Sequence, residues 1–171
     1  MSIMDILDRY GHKNHYRLAI IGENAAHYDG KLLFALRRWI ERMVVCDVTE
    51  FLLGTDSRFT KEAAVLVRRA KKKYPEIRLR RVHRYEQREK YSSNRVMCPE
   101  KPVDDLEKWM IDQSNGVLFF WLIDGDPDEN SRAGELMNYA SMHGKVVYNV
   151  PQALDEPFIT RPMELDSPEL R

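Results

Sequence analysis

Residues 116–123, GVLFFWLI, are apolar at nearly every position. A strand with no polar face has to be covered on both sides, which is the condition of a central strand in a parallel sheet. An acidic loop follows over 124–130, then an amphipathic stretch at 131–143 and a second apolar run at 145–150. That order predicts a strand–loop–helix–strand unit, the building block of a parallel α/β sheet. Open sheets of this kind place their ligands just beyond the C-terminal ends of the strands. The polar loop after residue 123 lies there.

The rest of the chain repeats the alternation. RLAIIG at 17–22 is a compact apolar run ending in glycine, a central strand by its pattern. A turn at 23–30 leads into a helix over 31–44 with Leu32, Leu33, Leu36, Trp39, Ile40 and Met43 on its inward stripe. A second strand spans 48–53 and ends in Gly54-Thr55-Asp56-Ser57. These small polar residues let backbone approach a phosphate or sugar, or cap the next helix. That helix spans 60–74, with Ala63, Ala64, Val67 and Ala70 inward and RRAKKK outward, and Pro75 stops it. IRLRRV at 77–82 reads as a third strand, with one face toward the core and one toward solvent or a partner. A long basic loop runs on to Val96, and a short helix spans 104–110. The fold class is therefore α/β: a Rossmann-like, doubly wound, mainly parallel sheet of about five strands with helices on both faces.

This domain occupies residues 17–150. Residues 1–16 read as an arm or short helix, with His12 and His15 as solvent-facing residues rather than a metal pair. Residues 151–171 hold four prolines and five acids and read as an extended tail. Its Phe158, Ile159, Met163 and Leu165 call for cover along the domain or along a second subunit, so a homodimer is a candidate arrangement. The expected compartment is the cytoplasm: no secretory signal is evident, no run reaches the roughly 20 apolar residues that span a bilayer, and Cys46 and Cys98 have no C-x-x-C neighbour.

Net charge is zero, with 27 basic and 27 acidic residues, but the two signs are segregated. Residues 68–98 carry 12 Lys or Arg against 3 acids, and residues 99–171 carry 6 against 15. Solvated faces, an anion site and a nucleic-acid surface are the readings of the basic stretch. The absence of a net positive excess disfavours the last.

Glu135, at the start of a helix over the expected site, is the carboxylate to test first. It could stabilise an oxocarbenium-like centre or act as a nucleophile, with Asp126 or Asp124 assisting. A Glu there also suits the helix dipole alone. Asp124, Asp126 and Asp128 alternate and Glu135 stands twelfth, as in a calcium loop, but the sixth position, where such loops turn on glycine, is Glu129. No metal or cofactor is implied. Ser131 is an N-cap rather than a nucleophile. GENAAHYDG is not G-x-G-x-x-G, so a dinucleotide fingerprint is absent. Phe119, Phe120, Trp121, Trp39 and Trp109 read as packing residues rather than stacking platforms.

Three spaced stretches carry a family resemblance. TEFLLGTDSRFTKEAAVLVRRAKKKYPEIRLRRV, KWMIDQSNGVLFFW and SRAGELMNYASMHGKVVYNVP, in that order, resemble successive signatures of the Rossmann-like SLOG superfamily, nearest to its bacterial branch of unknown function. That superfamily includes cytokinin-activating phosphoribohydrolases of the LOG type, a DNA-processing protein that binds single strands, and sensors of nucleotide-derived signals. The resemblance implies a nucleotide-like ligand at the strand ends. The contacting residues would be Gly22, Glu23 and Asn24, then Gly54, Thr55 and Asp56, and then Asp124, Gly125, Ser131 and Arg132.

The chain departs from the LOG enzymes where their chemistry resides. Leu106 stands where they carry an arginine. Their P-G-G-x-G-T-x-x-E motif, aligned on Glu135, becomes Ser131-Arg132 at its Gly-Thr pair, and the two preceding glycines are replaced by Asp128 and Glu129. In the first loop Ser57 and Thr60 replace the second glycine and the following Asp. The rigid glycine cradle for phosphate is lost, leaving Arg132 as a candidate single point of anion binding. The expectation is a protein that binds or senses a nucleotide-derived molecule without rapid turnover. The alternatives are an N-glycosidic-bond hydrolase or transferase using Glu135, and a nucleic-acid-associated module using the basic stretch.

Overall fold

Six parallel strands form a single sheet in the order β4-β3-β2-β1-β5-β6 in a computed structural model of the chain, described over residues 16–22, 30–55, 57–88, 95–121 and 131–153. The strands are β1 (Tyr16–Gly22), β2 (Val48–Leu53), β3 (Arg78–Val82), β4 (Val96–Met97), β5 (Gly116–Phe120) and β6 (Val146–Asn149). Four helices are described: α1 (Gly30–Val45), α2 (Arg58–Lys73), α3 (Leu106–Asp112) and α4 (Arg132–Met142). The arm, the acidic loop at 122–130 and the tail from 154 onward lie outside the described residues.

The alternation of each strand divides two cores. Leu18 and Ile20 of β1, Phe51 and Leu53 of β2, and Leu118 and Phe120 of β5 face α1 and α2, meeting Leu36, Trp39, Ile40, Met43, Ala63, Ala64, Val67 and Ala70. Leu33 is half-buried, and the side chain of Leu32 lies outside the described residues. Ala19, Ile21, Leu52, Val117 and Phe119 point the other way, onto Met110 and Ile111 of α3 and Leu136 and Ala140 of α4. The sheet is covered on both faces, which explains why 116–120 could be apolar throughout.

The sheet has six strands where about five were expected. The added one is β4, two residues long, and no periodicity can be read from two residues. It forms by main-chain pairing: the Arg81 N–H donates to the Arg95 carbonyl at 2.8 Å and the His83 N–H to that of Met97 at 3.0 Å. Two of the three arginines of β3, Arg80 and Arg81, do not stand in open solvent. Arg80 lies 3.5 Å from Glu50 and donates to the Val96 carbonyl. Arg81 donates to the Gly54 carbonyl at 3.0 Å.

Helix starts follow local chemistry. Ser57 caps α2: its hydroxyl accepts from Thr60 N–H at 3.1 Å, and its own N–H donates to Thr60 Oγ1 at 3.3 Å, a reciprocal capping box. Ser131 caps α4 by accepting from the Gly134 N–H at 3.0 Å. Chain order reverses between β1 and β5: β2, β3 and β4 extend one way, and β5 and β6 the other. This switch point opens a crevice at the C-terminal rim.

Candidate functional site

A cavity of about 580 Å³ lies at that rim, within the size range of small-molecule sites. Ile20, Ile21 and Gly22 contribute from the end of β1, and Gly54, Thr55, Ser57 and Thr60 from the end of β2 and the start of α2. Arg84 follows β3, Leu106, Glu107 and Met110 belong to α3 with Asp104 and Asp105 just before it, and Arg132 opens α4. Four residues picked out by sequence, Gly22, Gly54, Thr55 and Arg132, therefore line one space. Glu23, Asn24, Asp56, Asp124, Gly125 and Asp126 lie outside the described residues. Ser131 is the cap of α4. Glu135 sits one turn into α4 and is not among the lining residues.

Gly22 is required by packing. A Cβ on it would lie 2.5 Å from the ring of Phe59, itself fully buried. Gly54 is under no such constraint, since its nearest neighbour would be Thr60 at 3.8 Å. Arg81 holds the Gly54 carbonyl from the far side of the loop. Burial, with Arg68 nearby, draws the Arg81 pKa below the ordinary arginine value.

Arg132 is the hub of the opposite wall. Its two terminal nitrogens reach Asp105 at 2.7 and 2.8 Å, a bidentate pair. One of them also meets Glu107 at 2.9 Å and the other Glu135 at 3.4 Å. Asp105 in turn caps α3, accepting from the Lys108 N–H at 3.1 Å. Lys108 Nζ sits 2.7 Å from Glu135. The hydrogen bond from Arg132 holds the Asp105 carboxyl below its ordinary pKa, and those from Lys108 and then Arg132 do the same for Glu135. Glu135 is thus an ionised carboxylate between two cations.

Because Asp105 has a depressed folded-state pKa, its stabilisation is present above the ordinary value of 3.8 and is lost as pH falls through the folded value. Asp105→Asn should therefore melt below wild type at pH 6, with the gap narrowing as pH drops toward 3. A gap that stays constant across that range in melting scans would rule out the pairing as its source.

Sequence reasoning missed Asp105, Glu107, Lys108 and Arg84. The sequence pattern starts this helix at residue 104, and the partnership of Asp105 with Arg132 spans 27 residues and leaves no local pattern. Asn149 was missed for the same reason. Its side chain accepts from the Trp121 N–H at 2.9 Å and donates to the Trp121 carbonyl at 3.0 Å. It thereby fixes the exit of β5, where the acidic loop begins.

Among the described residues, no group of three or more His, Cys, Asp or Glu could hold a metal ion. Nor is any helix among them long and apolar enough to cross a membrane. A scan of protein-family models and a search of curated proteins find no match to this chain.

Proposed function

We propose that the chain is a SLOG-type domain that binds or senses a nucleotide-derived small molecule in the rim cavity, without rapid turnover. The observation that carries this reading is the convergence of Gly22, Gly54, Thr55 and Arg132, spread over 111 residues of sequence, on one cavity at the switch point. The cavity is of a size for a nucleoside or its monophosphate, and it pairs an apolar floor (Ile20, Ile21, Leu106, Met110) with polar walls. Such a division suits a base or sugar face beside hydroxyl and phosphoryl groups.

The N-glycosidic-bond reading has less support. A ribosyl nucleophile must reach the reacting carbon, and Glu135 is instead held by Lys108 and Arg132 outside the lining residues. The nucleic-acid reading weakens too, since Arg80 and Arg81 each donate a hydrogen bond inside the fold.

A thermal-shift screen with nucleosides, nucleoside monophosphates and divalent ions tests the proposal. A ligand at 100 times its Kd stabilises the folded state by about 2.7 kcal/mol, or roughly 5–10 °C for a chain of this size. A flat screen across all three classes would discard it. Release of free base from a monophosphate, abolished by Glu135→Gln, would move the assignment to the hydrolase.

A further inference from the structure

Among the described residues, the walls of the cavity are electrically unlike. On the β2–β3 side the described lining residues are Gly54, Thr55, Ser57, Thr60 and Arg84, with no carboxylate among them. On the α3–α4 side they include Asp104, Asp105 and Glu107, and the one cation there is Arg132. The two guanidiniums are not equivalent. Both terminal nitrogens of Arg132 are committed to carboxylates. An oxyanion approaching it would displace one of these or meet three negative charges at close range. Arg84 is exposed and makes no ion pair among the described residues. Asp104 and Glu86 border the adjoining recess of about 120 Å³ with it, but neither is an ion-pair partner of its guanidinium.

Resting on the nucleotide-pocket reading above, we propose that Arg84, not Arg132, receives the oxyanion of the ligand, and that the ligand carries one phosphoryl group there. Its hydroxyl or amino donors then face Asp105 and Glu107. A tetrahedral phosphoryl group can take the Arg84 fork together with the hydroxyls of Thr55 and Ser57 on the same wall, which a planar carboxylate uses less fully. The carboxylates of the far wall accept hydrogen bonds from a sugar diol and repel a second phosphate. The expected class is therefore a singly phosphorylated, hydroxyl-rich molecule such as a nucleoside monophosphate, rather than a polyphosphate. Arg132 keeps its part as a positioning residue that gathers the acceptors.

Calorimetric titration of the full chain with a nucleoside, its 5′-monophosphate and its 5′-triphosphate tests this, using wild type, Arg84→Ala and Arg84→Lys. Wild type should bind the monophosphate at least tenfold more tightly than the nucleoside and more tightly than the triphosphate. Arg84→Ala should erase the monophosphate's advantage while changing nucleoside affinity less than twofold, and Arg84→Lys should restore part of it. Because Arg84 is exposed and forms no ion pair among the described residues, its variants should melt with wild type. If the advantage survives in Arg84→Ala, or if nucleoside and monophosphate bind wild type equally, the Arg84 assignment is wrong while the pocket reading stands. If the triphosphate binds wild type best, the single-phosphoryl class is wrong. Absence of binding by all three overturns both.

Discussion

Gly22→Ala should lower stability by about 2–3 kcal/mol, near the upper end of what overpacking a fitted core costs. That corresponds to a melting point roughly 5–10 °C lower for a chain of this length. The added methyl group would stand 2.5–2.7 Å from three carbons of the Phe59 ring. That ring cannot swing away, because it is fully buried and stacks on the equally buried Phe120 at 5.3 Å. The strand end or the start of α2 must shift instead, and both line the cavity. Ligand binding should weaken together with stability. A second substitution separates packing from ligand contact: Phe59→Leu removes the ring edge, so Gly22→Ala should cost markedly less in that background than alone. Gly54→Ala, with open contact distance, should stay close to wild type. Were Gly22→Ala to melt with wild type and lose only ligand, the glycine would be serving the ligand and this packing argument would fail.

That example shows where sequence reading reached and where it stopped. The glycine at the end of RLAIIG marked a strand end, and β1 does end there. Its reason lies in Phe59, 37 residues away. The main strands and helices were legible because each carries its own period: full apolarity in β5, a 3.6-residue stripe in α1 and α2. The two cores follow directly from that alternation. Strand β4 was illegible, being two residues held by backbone bonds to its neighbour. The hub around Arg132 was also illegible, because it joins the first turns of two helices that local pattern treats independently. Position 106 illustrates the difference. The resemblance to LOG enzymes would put an arginine there, whereas the structure shows Leu106 lining the cavity, with Arg132 of α4 lining it too. Fold came from periodicity, and the site's charge pattern came only from tertiary contact.

Glu50→Ala should be similarly damaging, at about 3 kcal/mol, the cost of removing one member of a buried charged group. Glu50 lies in the middle of the sheet with its side chain 5% exposed. It accepts from Arg17 Nε of β1 at 2.8 Å and faces Arg80 of β3 at 3.5 Å. One carboxylate thus ties the three adjacent strands β1, β2 and β3. Removing it leaves two guanidiniums, each less than a third exposed, with no acid between them. Glu50→Gln retains an acceptor for Arg17 and should cost less than half as much. Chemical denaturation of both variants measures the difference, and equal losses would show that the shape of the side chain matters, not its charge. The same geometry decides how the nucleic-acid reading must be tested. Arg80→Ala with Arg81→Ala would weaken any binding simply by loosening β3, since Arg80 serves Glu50 and Arg81 serves the Gly54 loop. Exposed cations with no such duty, Arg69 and Lys71 of α2 and Arg78 at the start of β3, are the informative substitutions. Salt-sensitive binding of single-stranded DNA that survives their removal would not be electrostatic recognition by this surface. The basic run that segregates so plainly in the sequence is, at its centre, part of the sheet's own charge balance.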